Sequence, residues 1–535
     1  LFTQHDDTFT GKKYADLAYK TIEGIWKDKL PRTPTRGSGL ARAMQSLGVG
    51  IAYDWCYPMW SQQQRSFVED KIDEALNAWP RFGHANLGHQ RASNWAAVCR
   101  GGEMVLLLAA GGDKNRTDRY KKVKRELERH IQSAFGSLGV TQEGIGYTEY
   151  PGGFLMPAAY ACASVGDGDL LEKLRKIESW RLAMYAENFQ PHDRKVLQTG
   201  VGHSSNYDEG WVSLLWNLVP EKHQPYYAWF YDRHMGVKAP ASSDLERFDS
   251  DRAGTVWAVL YYPTDVTPKD PTGVYPCGAA DDRGHYFFRS RWQDENDILT
   301  SIMADTVHHS HAWDQPEQLA LNLMGYNTRF IGGPGKKRED KLYSTLLVDG
   351  KYNIRHSVRL TGKKVHFEAD KTAGYAIVDG GSLYKELGVD EAKRHLLVDF
   401  SKDGSTALLA TLDRIRSEKE HTYTWQANLG DDEGADDVKL SPGTEAGRPT
   451  FLMKGRNDGY VKGWVVFPAD AKLSADGDPL QIEVTGGTQN IWVVMLVGKG
   501  TPPKASIVGK GPDAVLTVGG KSVSYNKKTD RLETK

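Results

Sequence analysis

Residues 265–292, DVTPKDPTGVYPCGAADDRGHYFFRSRW, divide the chain into two textures. The first half is rich in Pro, Gly and Asp, which restrict φ, tolerate positive φ or bond their own backbone, and so marks a loop. The second half, HYFFRSRW, is an aromatic run suited to a half-buried pleated surface. Upstream, KAPASSDLERFDSDRAG (residues 238–254) is also loop-like, and before it apolar residues recur at helical spacing. In QRSFVEDKIDEALNAWP (64–80) the set Val68, Ile72, Ala75, Leu76 and Trp79 follows the 3.6-residue period, and Pro80 ends it. In TDRYKKVKRELERHIQSAF (117–135) Tyr120, Val123, Leu127, Ile131 and Ala134 do the same, with Thr117 as the expected N-cap. Similar patterns run through Tyr14–Trp26, Ala96–Ala110 and Phe154–Val165. No fixed-period repeat marks a solenoid.

Downstream, ILTSIMAD, KVHFEAD, HLLVDF, TALLATLDRI, GWVVFP and IWVVMLVG are β-branched and aromatic runs between Gly, Asp and Lys turns. The expected fold class is therefore α+β and multidomain. Residues 1–240 should form an N-terminal (α/α) toroid and 241–280 a linker. An antiparallel β-sandwich domain should follow over 281–425, then a C-terminal β domain over 426–535. The 535 residues suit roughly three or four units.

Lys plus Arg (68) nearly cancels Asp plus Glu (69), giving a formal net charge of −1. A nucleic-acid binder would carry a basic surplus, and an acidic ligand would have to be held here by a local patch. No run of 18 apolar residues is present, so no membrane-spanning helix is expected. The chain starts at Leu1, which fits removal of a leader and a periplasmic or secreted protein. Cys56, Cys99, Cys162 and Cys277 are widely spaced with no CxxC pair, and the first three lie in helical patterns. They are expected to be buried free thiols rather than a zinc knot or a disulfide scaffold.

Three stretches carry chemistry. In HANLGHQRASNWAAVCRGG (84–102) Asn94 offers a neutral amide that can donate to a carboxylate; the plain alternative is that Ser93 or Asn94 only caps the helix. In TQEGIGYTEYPGG (141–153) Tyr147 and Tyr150 could carry protons, with Glu143 and Glu149 beside them; the alternative is a pair of core tyrosines and a loop-bracing Glu143. In ADTVHHSHAWDQPEQLALNLMG (304–325), His309 and His311 share one face of an extended chain and could hold a metal or supply a base. The alternative there is a solvated histidine cluster.

YDWCYP (53–58), SNWAAVCRGGEMVLLLA (93–109), EGIGYTEY (143–150) and HSHAWDQPEQLALNLMGYNTRFIGG (309–333) occur in an order that resembles the heparinase II/III-like polysaccharide lyases and alginate lyases. That resemblance implies a toroid followed by β-sheets and cleavage of a uronate glycan by β-elimination. Position by position, it makes Asn94 the residue that neutralises the uronate carboxylate and Tyr147 or Tyr150 the catalytic tyrosine. His309 becomes the histidine facing that tyrosine, and His311 a metal-ligand position. His89, Arg100, Trp95, Glu143 and His311 are expected along the substrate. The sequence departs from the family's ligand set: Gly332 and Ser344 stand where an Asp and a His are usual, and Ala312 and Trp313 separate His311 from Asp314. No cofactor is therefore expected, the remaining candidate for zinc being His311 with Asp314. Trp95 stands where some relatives place a histidine, leaving His84 or His89 for that role.

In the implied reaction Asn94 stabilises charge building on the carboxylate as C5 loses its proton. His309 or the tyrosine takes that proton, and the tyrosine protonates the departing 4-oxygen. Asn94, a tyrosine and His309 are expected to converge on one cleft. A uronate C5-epimerase shares the proton abstraction. A hydrolase would need paired carboxylates, for which Glu143 and Glu149 are the nearest pair. A non-catalytic acidic-glycan-binding protein is the reading of a different class. The expected partner is an acidic polysaccharide, with no nucleic acid and no membrane; the oligomeric state is not encoded legibly.

Overall fold

The computed structural model describes residues 11–27, 38–79, 92–110, 114–141, 143–187, 209–234, 254–294, 296–306, 317–333, 342–352, 361–429, 438–475, 477 and 479–535. The chain divides into two compact units. One comprises residues 1–135 and 148–176, the other 136–147 and 177–535.

Among the described residues, every element of the first unit is helical. These are α1 (Gly11–Lys27), α2 (Ser38–Cys56), α3 (Gln62–Ala78), α4 (Asn94–Ala109), α5 (Lys114–Ala134), the body of α6 (Gly146–Ser164) and α7 (Asp169–Arg175). Helix α3 forms as its pattern predicts. Ser61 caps it, its hydroxyl accepting from the Gln64 amide while the Gln64 side chain accepts from the Ser61 amide, and Val68, Ile72, Ala75 and Leu76 are buried. Helix α5 buries Val123, Leu127, Ile131 and Ala134. It starts at Lys114, so Thr117 lies inside the first turn rather than at the cap. Helix α4 is tightly packed at its paired glycines. A Cβ at Gly101 would lie 2.6 Å from the carbonyl oxygen of Phe154, and one at Gly102 would collide with the Ala43 carbonyl. Only glycine lets α2 and α6 approach the α4 backbone this closely.

The second unit joins further helices to four antiparallel sheets among the described residues. Its first sheet runs in order through β1 (Gly278–Ala280), β2 (His285–Arg289), β3 (Ile298–Met303), β4 (Ala320–Gly325) and β5 (Thr328–Ile331). Strand β6 (Leu346–Val348) belongs to a separate four-stranded sheet. An eight-stranded sheet is built from β7 (Lys363–Ala369), β8 (Ala373–Asp379), β9 (Glu391–Phe400) and β10 (Ala407–Arg416). After β11 (His421–Ala427), which pairs with β6, that sheet adds β12 (Lys439–Glu445), β13 (Arg448–Lys454) and β14 (Gly459–Phe467). Strands β15 (Lys472–Ser474) and β16 (Leu480–Gly486) complete the sheet of β6 and β11, and β17 (Gln489–Lys499) pairs with β10 and β14. Strands β18 to β21, from Ala505 to Thr534, form the last sheet.

The middle of the eight-stranded sheet is buried on both faces, while its edge strands β7 and β12 are largely exposed. Leu408, Ala410 and Leu412 pack in one core with Leu516, Val518 and Val523 of the last sheet. The alternate residue Leu409 joins the opposite core with Val493, Met495, Leu323 and Trp425, as a two-residue period requires. This sheet crosses the boundary expected near residue 425. The long pairing of β10 with β17, Ala407↔Val497 through Ile415↔Gln489, binds the two expected β domains into one unit. The expected linker 241–280 also contains a helix, Gly254–Tyr261. All four cysteines are free, with Cys99, Cys162 and Cys277 buried and Cys56 half-buried. No described helix is long and apolar enough to cross a membrane.

Candidate functional site

In the first unit Ser93 is the N-cap of α4, its hydroxyl accepting from the Trp95 amide at 3.4 Å. The cap is therefore Ser93, and Asn94 is the first helical residue, 3% exposed. Trp95 follows it, half-buried. Arg100 is expected along the substrate, but its guanidinium meets two carboxylates. Nη1 donates to Glu103 at 2.5 Å and Nε to Glu126 on α5. Glu103 in turn takes Arg119 Nε at 2.6 Å. Matched by two carboxylates, the Arg100 guanidinium fastens α4 to α5. Its partner Glu126 lies on the next helix, which local spacing does not reveal.

Tyr150 is half-buried on α6. Its ring stands edge-on to Phe154, with centroids 5.9 Å apart, and packs on the cluster of Ala43, Trp79, Val98, Cys99 and Phe154. Pro151 has no N–H for the carbonyl of Tyr147, so the first turn of α6 departs from the regular ladder beside Tyr147.

In the second unit the segment carrying Glu143 and Tyr147 is wound into successive turns. The Gly139 amide bonds the Gly136 carbonyl at 3.0 Å, and the Gly144 amide bonds the Thr141 carbonyl at 3.0 Å. Glu143 is 1% exposed, which suits a brace inside the loop better than a group presented to substrate. The root of this segment is held by the turn between β1 and β2. Asp281 accepts the Leu138 amide at 2.7 Å, and Asp282 accepts the Ser137 amide at 2.8 Å. A Cβ at Gly136 would collide with the Asp281 carboxylate. Burial raises the Asp281 carboxyl to about 6, against the amides of Arg283 and Leu138 and the nearby His285.

The same turn holds a second root. The Thr306 amide bonds the Arg283 carbonyl at 2.9 Å, and the Ala304 amide bonds the Gly284 carbonyl at 3.0 Å. His285 Nε2 lies 2.7 Å from Asp305 Oδ1. Burial works against the imidazolium, and the Asp305 carboxylate more than offsets it, so the His285 pKa is raised. The other oxygen of Asp305 accepts the Glu317 amide at 3.1 Å, pinning both ends of the connection from β3 to β4. His309, His311 and Asp314 fall in that connection, at 307–316, and like His84 and His89 they lie outside the described residues. Sequence reasoning misses Asp281, His285 and Asp305. Asp281 and His285 stand in DDRGH before an aromatic strand, which reads as an ordinary turn, and Asp305 stands in ADT ahead of the histidines with nothing to mark it.

At the two positions where the metal-ligand set departs, the residues bond each other. The Ser344 hydroxyl donates to the Gly332 carbonyl and accepts the Asn428 amide at 2.9 Å. A hydroxyl and a backbone carbonyl engaged in this way do not fit a zinc site, which calls for imidazole, thiolate or carboxylate ligands. No cluster of three His, Cys, Asp or Glu residues suited to a metal occurs among the described residues.

No protein-family model matches the sequence, and no curated protein matches it either. Solved structures do match. A heparinase III crystal structure is similar with a TM-score of 0.65 at 10% identity, covering 98% of this chain and 79% of that one. The heparan sulfate lyase HepC from Pedobacter heparinus is similar with a TM-score of 0.59 at 14% identity, covering 98% of this chain and 79% of that one. At such identities the likeness concerns the fold alone, helices joined to antiparallel sheets.

Proposed function

We propose that this protein is a polysaccharide lyase that cleaves a uronate-containing acidic polysaccharide by β-elimination, with glycosaminoglycans the first substrates to test. The observation that carries the reading is the fold, which resembles those of heparinase III and the heparan sulfate lyase HepC over 98% of this chain. Tyr147 is preferred to Tyr150 as the proton carrier, because the Tyr150 ring is engaged in the helical core.

The chemistry runs as follows. His309, or the Tyr147 oxygen, takes the C5 proton, and the C–H electron pair becomes the C4=C5 bond. The C4–O bond breaks, and the Tyr147 hydroxyl gives its proton to the departing oxygen. The Asn94 amide, neutral and buried at the start of α4, donates to the uronate carboxylate and favours the charge that builds there. All three groups must reach one sugar ring. No step requires a metal.

The test is to incubate the protein with a panel of glycosaminoglycans and alginates in H2(18)O. A lyase yields unsaturated ends free of the heavy isotope. Scission with (18)O incorporated and no unsaturated ends would mean hydrolysis, inversion at C5 without scission would mean epimerisation, and binding without either would mean a glycan-binding protein.

A further inference from the structure

Helix α5 sorts its charges by direction. At about 3.6 residues per turn, the buried residues Val123, Leu127, His130, Ile131 and Ala134 share one side. Lys121, Lys122, Arg125 and Arg129 share an arc of about 100° on the opposite side, and all four are exposed. The helix's other cations with described side chains are each matched by a carboxylate. Arg116 pairs with Asp73, Arg119 Nε donates to Glu103 at 2.6 Å, and Lys124 holds Asp167 at 2.6 Å and Asp169 at 2.8 Å. The helix's glutamates are also engaged, Glu126 with Arg100 and Glu128 with Lys173 at 3.1 Å. The four outward cations make no ion pair among the described residues. On their arc Asp118, one turn earlier, is the only carboxylate of the helix among the described residues.

Other helices pair exposed charges by opposite sign. Lys12 bonds Asp16 at 3.1 Å on α1, and Lys71 bonds Glu74 at 2.8 Å on α3. On α5, Lys121 with Arg125 and Arg125 with Arg129 are like charges four residues apart, which repel and weaken a helix. Solvation alone does not call for such a row, whereas a linear polyanion laid along it would neutralise every member. The row from Lys121 to Arg129 is about 12 Å long at 1.5 Å per residue. Its two guanidinium forks suit bidentate bonds to oxyanions, and its two ammonium groups add point charges. We propose that this face of α5 is a binding strip for a linear acidic polysaccharide, using none of the residues assigned to the elimination. The choice of a glycan rests on the lyase reading above. The face itself has no exposed aromatic or apolar side chain, so it offers no platform for stacking bases and no anchor in a membrane. A second contact of this kind retains a long chain by avidity.

The experiment titrates the full chain with long-chain heparin over a range of salt concentrations. One variant combines Lys121→Ala, Lys122→Ala, Arg125→Ala and Arg129→Ala, which keeps helix propensity and relieves the repulsion, so its melting temperature should not fall. A control combines Lys504→Ala, Lys510→Ala, Lys527→Ala and Lys528→Ala, removing the same charge from exposed lysines around the last sheet. At low salt the α5 variant should bind at least ~10-fold more weakly than wild type. Its plot of log Kd against log salt should be shallower by about 3, the share of four contacts to a polyanion with condensed counterions. The control should stay within ~2-fold of wild type. Unchanged affinity and slope in the α5 variant would overturn the proposal, and so would an equal loss in the control, which would mean net charge and no site. Duplex DNA or anionic vesicles binding the wild type more tightly than heparin at equal salt would overturn the choice of a glycan. Should the α5 variant fail to fold, Lys121→Gln with Lys122→Gln and Arg125→Gln with Arg129→Gln must each weaken binding at least ~3-fold. A wild-type protein that eliminates no uronate glycan would overturn the lyase reading, and the heparin titration would still decide whether the strip binds.

Discussion

The hydroxyl of Ser344 donates to the carbonyl oxygen of Gly332, and through the same oxygen it accepts the amide of Asn428. The bond joins the two positions at which the lyases resembled here would place metal ligands, and neither residue has a ligand to offer. Elemental analysis of the purified protein should find zinc well below one per chain, and dialysis against a chelator should change neither the melting temperature nor the elimination rate. One tightly held zinc per chain would contradict this.

Asn94 follows the cap and is not the cap, so its removal leaves the α4 terminus bonded through Ser93. Asn94→Ala should lower kcat by about 10²–10³-fold, the usual loss for one donor aimed at developing charge. The melting temperature should drop only modestly, since the cap is kept. A variant that loses stability heavily while its folded fraction eliminates normally would assign Asn94 to structure alone.

Arg394 and Asp413 form a bidentate pair on β9 and β10 at 2.6 and 2.5 Å, both completely buried. Arg394 also donates to the carbonyl of Leu319, just before β4. Asp413→Ala strands a buried guanidinium and should cost about 3–5 kcal/mol of unfolding free energy by denaturant titration. A loss below about 1 kcal/mol, the level of an exposed pair, would mean that water reaches the site.

Stability should also depend on pH through Asp281, whose carboxyl burial raises to about 6. A carboxyl raised in the folded chain binds its proton more tightly there than when unfolded. Its contribution is therefore fully present below the ordinary value of about 4 and is lost as pH rises through about 6. Asp281→Asn cannot titrate, so the melting temperature of the variant relative to wild type should climb between pH 4 and pH 6. A constant difference across that window would rule out the raised carboxyl.

Helices and strands whose apolar residues keep one local period are legible in the sequence alone. Val68, Ile72, Ala75 and Leu76 line the buried side of α3, and the runs HYFFR, ILTSIM and IWVVMLV are strands. Pairings made at long range are not legible. Nothing local in TALLATLDRI says that it will bond to IWVVMLVG across the expected boundary at 425, and nothing in RGGEMV says that Arg100 will meet Glu126. The helix Gly254–Tyr261 is hidden because loop-like residues flank its short apolar run. The same limit applies to the candidate site. Asn94 and the two tyrosines stand out by residue type, whereas Asp281, His285 and Asp305 matter through what they hold in place.

The most direct test of the lyase account is ultraviolet absorbance from the new C=C bond, followed with wild type, Tyr147→Phe and Tyr150→Phe on the best uronate polysaccharide. Phenylalanine keeps each ring and removes only the hydroxyl. The account predicts a steady rise with wild type, a rate at least ~100-fold lower for Tyr147→Phe, as loss of general acid–base catalysis entails, and a mild effect for Tyr150→Phe. No unsaturated product from wild type on any uronate glycan, or wild-type turnover by Tyr147→Phe, would contradict it.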